Sequence, residues 1–220
     1  QRQMCIRDRV ISMPKPWQKH FAKAIGTPNL ISHHNTCVAS QVISWATTVG
    51  TMAWTVDFEH TKYILAFGWD GLGKAKNHWG RAINKARANG TKLVVFDPRM
   101  SITAAKADEW IPIKPGTDLA VLLAMIHVII NEDLYDHEFV ENYTYGFDQL
   151  KEAVQEYTPE WAASISEVPA ETIVRIAREF ATTKPAVIAS HKRDAGGPNY
   201  TNSWRTSRCF LILNALVGSI

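Results

Sequence analysis

The stretch "YILAFGWDGLG", residues 63–73, decides the fold of this chain. Its apolar run has no polar break and ends at a glycine-bearing loop, a pattern typical of a buried parallel strand that leads into a loop. A helical pattern over residues 81–88, an Asn-Gly pair and a second apolar run, "KLVVF" at residues 92–96, follow. The sequence therefore predicts a βαβ unit, the building block of a parallel sheet.

Predicted strands and helices also alternate on both sides of this βαβ unit. Upstream, the spacing predicts a helix over residues 15–25, a short strand in "NLIS" (29–32) and a helix that ends near residue 49. Downstream it predicts a helical turn in "SITAAKAD", a strand in "EWIPI" (109–113), helices over 118–132, 136–142, 147–157, 159–163 and 169–182, a strand in "AVIAS" (186–190) and a helix over 201–217. This order predicts a doubly wound α/β fold, with mostly parallel sheets and flanking helices.

Composition narrows the classes of protein. The chain has 220 residues, 46% hydrophobic and 20% charged, so it can bury a core in one large or two small domains. A net charge of +3 with scattered basic residues gives no support for nucleic-acid binding. The longest apolar run, residues 119–130, is too short to span a bilayer, so we expect no direct membrane insertion. The three cysteines form no C-x-x-C pair, so this segment alone assembles neither a zinc knuckle nor an iron–sulfur cluster.

Ligands of doubly wound folds bind at the carboxyl ends of the strands, so the residues that follow each strand are the candidates. The glycines of residues 68–73 would let backbone N–H groups approach a phosphate, although ordinary turn formation explains them as well. Asp97 could accept hydrogen bonds from a ribose diol, or cap the turn before Pro98. Asp118 could pair with the two N–H donors of a guanine edge, or cap the long helix that starts there. The charged run from His191 to Asp194 could meet an anion, or be a solvated loop.

Cys37 lies in "SHHNTCVAS", residues 32–40, where a loop leads into a predicted helix. A helix N-terminus favours thiolate over thiol, and a thiolate attacks electrophiles or binds metals. A free cysteine is also among the most buried residue types. On these residues alone, Cys37 can be a nucleophile, a metal ligand or a buried spectator.

The order of these segments is distinctive. "FAKAIGTPNLISHHNTC" (21–37), "AFGWDGLGKAKNHW" (66–79) and, above all, residues 92–181 together resemble the molybdopterin oxidoreductases of the dimethyl sulfoxide reductase family. The resemblance covers residues 15–220. Within the family, the chain is most similar to the catalytic subunits of thiosulfate, polysulfide and related anaerobic respiratory reductases.

The resemblance implies a role for each candidate. Cys37 would be the catalytic ligand of molybdenum or tungsten, which two pyranopterin guanine dinucleotides hold through dithiolene sulfurs. Asp97 would bind a guanosine ribose, Asp118 a guanine edge and the loop after the first strand a pyrophosphate or its surroundings. Apart from the resemblance, we expect His191 or Arg193 to contact an anionic substrate, because both follow a strand in a charged segment. The implied cofactor-binding residues are Gly68, Trp69, Asp70, Gly71, Asp97, Pro98, Arg99, Pro115, Gly116, Thr117 and Asp118.

The chain also departs from the family pattern. Val38 follows Cys37, where formate dehydrogenases commonly have a histidine. The loop reads Gly68-Trp69-Asp70-Gly71 instead of Gly-x-Asn-Pro. The cysteine motif for a 4Fe–4S cluster is absent, so we expect a central fragment of the fold, with that cluster in the N-terminal part of a longer parent. The expected segments are residues 1–14, non-native or disordered; 15–60, with the metal ligand; 61–183, the dinucleotide-binding domain; and 184–220, which returns to the first α/β domain.

The implied activity is the two-electron reduction or oxidation of a small sulfur compound or oxyanion, such as thiosulfate, polysulfide, tetrathionate or arsenate. The implied partners are an iron–sulfur electron-transfer subunit and a membrane anchor subunit. The parent would be periplasmic or membrane-associated through these partners, with the cytoplasm as the alternative. Three other functions stay open: a formate dehydrogenase-like enzyme, a non-catalytic scaffold related to the large iron–sulfur subunit of respiratory NADH dehydrogenase, and a nucleotide-binding module that needs only Asp97 and Asp118.

Overall fold

A four-stranded parallel sheet forms the centre of the chain. The computed structural model describes residues 14–30, 38–51, 55–73, 77–189, 194–197 and 200–219. Its strands are β1 (Tyr63–Phe67), β2 (Lys92–Phe96), β3 (Glu109–Ile111) and β4 (Ala186–Ala189), in the order β3-β2-β1-β4. All three strand pairs are parallel. The expected α/β class with a parallel sheet is confirmed.

Ten helices in the described residues surround this sheet. They are α1 (Pro14–Ala24), α2 (Ala39–Thr48), α3 (Asn77–Ala88), α4 (Ile102–Lys106), α5 (Asp118–Asn131), α6 (His137–Tyr143), α7 (Phe147–Ala153), α8 (Pro159–Ser166), α9 (Ala170–Thr182) and α10 (Ser203–Leu216). No helix in the described ranges is long and apolar enough to cross a membrane.

Both faces of the sheet are covered, because alternate residues of each strand enter different cores. Tyr63, Leu65 and Phe67 join the larger core, which contains residues of α5, α8, α9 and α10. Ile64 and Ala66 join the smaller core, with residues of α3 and α4. Both cores therefore depend on β1, whose five residues are all buried.

The strand order reverses at β1. The chain passes from β1 to β2 and β3 on one side, then returns through α5 to α9 to place β4 on the other side of β1. Such a reversal opens a crevice at the carboxyl ends of the strands, where doubly wound folds bind ligands. The crevice between the ends of β1 and β4 is therefore the expected place for a site.

Several predicted boundaries are wrong. Residues 29 and 30 of the predicted "NLIS" strand are in no strand, and the rest of that segment lies outside the described residues. The helix predicted to begin at residue 81 begins at Asn77. The strand predicted to reach residue 113 ends at Ile111, because Pro112 has no N–H to extend the ladder. The helix predicted over residues 169–182 begins at Ala170, with Pro169 as its N-cap.

The proposed division of the chain into segments stays a prediction. β4 pairs with β1 in register, Tyr63 opposite Ala186, so residues 186–189 share one sheet with the strands of residues 63–111. The expected non-native segment, residues 1–14, lies outside the described residues except for Pro14, the first residue of α1.

A charged network joins the amino ends of the strands to α9. Glu179 accepts hydrogen bonds from the Tyr63 hydroxyl at 3.0 Å, Lys92 Nζ at 2.6 Å and Arg175 Nη1 at 3.0 Å. Arg175 also pairs with Glu109, the first residue of β3. Burial alone would raise the pKa of Glu179, but the hydrogen bonds from Lys92, Arg175 and Tyr63 together hold it below its usual value.

We expect Glu179→Gln to lower the free energy of unfolding by about 1–2 kcal/mol at pH 7, because charge-assisted hydrogen bonds are lost. A depressed carboxyl pKa stabilises the fold above the pKa of the unfolded state, and this stabilisation disappears as the pH falls through the folded-state pKa. Denaturant unfolding should therefore show a wild-type advantage at pH 7 that decreases as the pH falls below 4.5 and vanishes below the folded-state pKa. Glu152→Gln, on the exposed surface of α7, is the control, and equal losses in both variants would contradict the prediction.

Candidate functional site

The carboxyl edge of the sheet brings four segments into one row. The Gly68 N–H donates to the Phe96 carbonyl at 2.7 Å, and the Asp97 N–H donates to the Ile111 carbonyl at 3.3 Å. On the other side, the Ala195 N–H donates to the Phe67 carbonyl at 3.0 Å. The backbone pairing thus continues one residue past β1 and β2, and Ala195, from the loop after β4, joins the same row.

Asp97 follows β2 at this edge and is 4% exposed. Its Oδ1 accepts a hydrogen bond from the Arg99 N–H at 3.0 Å, and its carbonyl accepts one from Trp110 Nε1 at 2.9 Å. Asp97 therefore caps the turn that contains Pro98, which is one of the two roles expected from the sequence. Within the described ranges, no donor is recorded at Oδ2, so this oxygen can accept a hydrogen bond from a ligand. Pro98 and Arg99, the next two residues, are exposed at the same edge.

Asp118 is the first residue of α5 and is 6% exposed. Thr117, not Asp118, is the N-cap residue. Burial raises the pKa of the Asp118 carboxyl to about 6; its own backbone N–H lowers the value, and the Asp97 charge raises it. The structure therefore places Asp97 and Asp118 close enough to interact. In the part of the chain that the structure describes, no other residue donates a hydrogen bond to the Asp118 carboxyl.

A tight turn delivers Asp118 to this position. The Thr117 N–H and Oγ1 both donate to the Lys114 carbonyl, at 3.2 Å and 2.6 Å. Gly116 has φ +81°, and a Cβ there would lie 3.0 Å from the Tyr200 ring, so a larger residue would be both strained and crowded. Pro115 completes the turn. These residues act by shaping the backbone before Asp118.

The side chains of the loop after β1 are used within the protein. Trp69 is 2% exposed, and its ring stacks on Phe58 with 5.7 Å between centroids. Asp70 Oδ1 accepts hydrogen bonds from the Gly73 N–H at 3.2 Å, the Thr103 N–H at 3.1 Å and Thr103 Oγ1 at 2.9 Å. A Cβ on Gly71 would lie 2.4 Å from the Trp69 ring. Trp69, Asp70 and Gly71 thus build the loop, and contact between its backbone and a phosphate stays a prediction.

Three predicted site residues cannot be placed. Cys37, His191 and Arg193 lie outside the described residues. Their roles as metal ligand and substrate contacts stay predictions. The described chain resumes at Val38, directly after Cys37, and α2 begins at Ala39.

The interpretation of Asp194 as part of an anion-binding charge cluster or a solvated loop is wrong for this residue. Asp194 is 3% exposed, and its carboxylate accepts hydrogen bonds from Gln41 Nε2 and the Gly196 N–H. A buried carboxylate that accepts hydrogen bonds repels an anion. The sequence analysis did not identify Gln41 as the partner of Asp194. A usable signal was the helical spacing of three polar residues, Ser40, Gln41 and Ser44, all of which are buried in α2.

The fold and the edge site define a class of protein. Residues 16–201 match the molybdopterin oxidoreductase family model, and the chain belongs to that family. The resemblance seen in the sequence is thereby confirmed.

Three relatives show how the chain compares. It is 45% identical over 204 residues to the thiosulfate reductase molybdopterin-containing subunit PhsA of Salmonella typhimurium, covering 91% of this chain and 26% of the relative. It is 34% identical over 226 residues to the arsenate respiratory reductase molybdopterin-containing subunit ArrA of Chrysiogenes arsenatis, covering 90% and 26%. The solved structure of acetylene hydratase from Pelobacter acetylenicus superposes with a TM-score of 0.79 at 36% identity, covering 91% and 27%. The chain spans about a quarter of the length of these relatives.

We expect Asp118→Asn to stabilise cofactor-free protein by about 2 kcal/mol at pH 7, because the amide removes the cost of burying a carboxylate charge. A carboxyl whose folded-state pKa is raised loses stability as the pH rises from its unfolded pKa to its folded pKa. The advantage of Asp118→Asn should therefore grow between pH 4 and pH 6 and stay constant above. Denaturant unfolding at several pH values checks this expectation, with the exposed Asp148→Asn as control; an Asp118→Asn curve parallel to wild type would contradict it.

Proposed function

We propose that this chain is part of the catalytic subunit of a molybdenum or tungsten enzyme that holds its metal through two molybdopterin guanine dinucleotides. The observation that carries the proposal is the buried pair of Asp97 and Asp118 at the carboxyl edge of the sheet. In a chain of the molybdopterin oxidoreductase family, two acceptor side chains at the carboxyl edge of a parallel sheet suit the nucleotide end of such a cofactor.

The chemistry of the two carboxylates fits this group. A guanine presents N1–H and N2–H donors side by side, and the two oxygens of a carboxylate accept such a pair. Asp118 has these two oxygens in a buried position with its own N–H as its recorded donor. Asp97 has Oδ2 for a ribose hydroxyl while Oδ1 holds the Arg99 turn.

The raised pKa of Asp118 gives this recognition an energetic consequence. Near neutral pH, the ionised carboxylate is desolvated and lies near the Asp97 charge. Two N–H donors would favour the ionised form and lower its pKa. Binding of such a ligand would therefore offset the free-energy cost of burying the ionised Asp118 carboxylate. A ligand with two matching N–H donors at the carboxyl edge of the sheet would explain why a carboxylate is buried at position 118.

Cys37 and the charged residues that follow β4 in the sequence complete the proposal. A thiolate is a soft ligand that suits molybdenum or tungsten, and the start of α2 would favour its ionised form. When bound, the metal and its dithiolenes supply the two-electron chemistry, while the protein binds, orients and excludes solvent. His191 or Arg193 would hold a small anion by charge and hydrogen bonds.

The names of two relatives support a proposal for the substrate class. We infer a small sulfur compound or oxyanion, with thiosulfate first, since PhsA is named a thiosulfate reductase subunit, then arsenate, polysulfide and tetrathionate. Both relatives are named as molybdopterin-containing subunits, which supports partner subunits for this protein. We propose an iron–sulfur electron-transfer subunit and a membrane anchor subunit as those partners, and a 4Fe–4S cluster in the remainder of the parent protein.

A second candidate function has its own support. Acetylene hydratase is by name a hydratase, and its structure superposes on 91% of this chain. The fold and the nucleotide-binding edge are therefore compatible with addition of water as well as with electron transfer. The two functions differ in whether turnover needs an external electron donor.

We expect full-length protein, purified anaerobically, to contain about one molybdenum or tungsten per chain. Cys37→Ser should retain much of the metal, since a hydroxyl oxygen can replace the sulfur ligand, but reduce thiosulfate at least about tenfold more slowly. Cys37→Ala should lose still more activity. Metal analysis and a viologen-linked assay with thiosulfate, polysulfide, tetrathionate and arsenate measure these effects.

Cys209→Ala is the matched control, because Cys209 is buried in α10 and burial raises the pKa of its thiol to about 12. A wild-type protein without either metal, made in cells that supply the cofactor, would contradict the proposal and favour the non-catalytic scaffold. Conversion of acetylene without any electron donor, with no reduction of the four anions, would favour the hydratase.

A further inference from the structure

A buried hydrogen-bonded pair links the loop after β4 to the helix that follows Cys37. Gln41 is fully buried in the first turn of α2, and Asp194 is 3% exposed. Gln41 Nε2 lies 3.3 Å from Asp194 Oδ1 and 3.2 Å from Oδ2, so one amide group spans both oxygens. The Gly196 N–H donates to Oδ1 at 2.8 Å. The pair joins residues 153 positions apart in the sequence.

The Asp194 end of this pair is held firmly against the sheet. The Ala195 N–H donates to the Phe67 carbonyl at the end of β1, at 3.0 Å. A Cβ on Gly196 would lie 3.0 Å from Ser207 Cβ, and one on Gly68 would lie 3.4 Å from the Ala195 nitrogen. Residues 194–197 of this loop are therefore closely packed between the end of β1 and α10. Asp194 is fixed relative to the edge that carries Asp97 and Asp118.

Docking of α2 on α10 does not depend on this carboxylate alone. One turn further along α2, Ser44 Oγ donates to the Trp204 carbonyl of α10 at 2.5 Å. A buried carboxylate is costly unless it is well bonded, and apolar residues would pack two helices without that cost. The pair lies instead at the beginning of α2, where Gln41 follows Cys37 by four positions in the sequence.

We propose that Asp194 is a positioning residue that acts through Gln41. It fixes the start of α2 relative to the carboxyl edge of the sheet, and thereby sets where the Cys37 thiolate meets the metal. This inference rests on the proposed function, since it assumes that Cys37 is the metal ligand. Asp194 would thus act on the position of the metal ligand through Gln41, without itself binding the metal or the substrate.

The test is a reciprocal exchange in full-length, anaerobically purified protein. Gln41→Glu places two carboxylates against each other in a buried site, and should lower metal content or alter the molybdenum electron paramagnetic resonance spectrum, with activity at least about tenfold lower. Gln41→Glu combined with Asp194→Asn restores a carboxylate facing an amide with the same total charge. The double variant should recover the wild-type spectrum and activity within about threefold.

Ser44→Ala is the matched control, because it removes a hydrogen bond between α2 and α10 without touching the pair. It should leave metal content and spectrum as in wild type. The proposal is overturned if Gln41→Glu leaves metal content, spectrum and activity unchanged, if the double variant is no better than Gln41→Glu, or if Ser44→Ala alters the spectrum as strongly.

A measurement on cofactor-free protein separates this inference from the proposed function. Hydrogen exchange of the Val42 backbone amide, which donates to the Val38 carbonyl at 2.9 Å in the first turn of α2, should become at least about tenfold faster in Gln41→Glu and return to wild type in the double variant. Absence of metal from the wild type would overturn the proposed function and, with it, the role toward the metal. Unchanged exchange in Gln41→Glu, in a protein that does contain the metal, would overturn the positioning role alone.

Discussion

Parallel pairing of β1 with both β2 and β4 is the constraint on which the rest of the structure depends. It makes β1 the central strand, buries all five of its residues and sends its alternate side chains into two different cores. It also aligns the carboxyl ends, so that Gly68, Asp97 and the loop at Asp194 become neighbours although they are far apart in the chain. The site is a product of this alignment, because no single segment contains it.

Several aspartates are buried at the carboxyl edge of the sheet, where burial of a carboxylate is energetically unfavourable. Asp70 and Asp194 are satisfied by donors within the protein, at Thr103 and Gly73 in the first case and at Gln41 and Gly196 in the second. Asp118 differs, because burial and the Asp97 charge raise its pKa and only its own backbone N–H offsets them. Asp70 and Asp194 build the edge, whereas Asp118, whose donor among the described residues is its own backbone N–H, marks where a ligand with two donors belongs.

The sequence was sufficient for the elements whose pattern is strong. "YILAF" and "KLVVF" are strands because uninterrupted apolar runs of that length are buried on both faces of a parallel sheet. The start of α3 was missed because "NHWG" has a glycine and no apolar periodicity, and tertiary packing overrides weak local preference. "NLIS" looked like a strand, yet a short apolar run carries no information about whether a pairing partner exists. The predicted topology was enough to place Asp97 and Asp118 at the carboxyl edge of the sheet. The burial of the two carboxylates and their interaction could not be predicted, because both depend on contacts between distant segments.

The central claim is that the buried carboxylates of Asp97 and Asp118 hold the guanine nucleotide end of the cofactor, and the most direct measurement is the guanine nucleotide content of the protein. Acid hydrolysis of full-length wild type should release about two guanosine monophosphates per metal. Asp118→Asn, which replaces one of two acceptors by a donor, should retain less than about half of that amount, while Asp148→Asn should match wild type. A wild type that releases no guanine nucleotide, or an Asp118→Asn protein that retains the full amount, would contradict the claim.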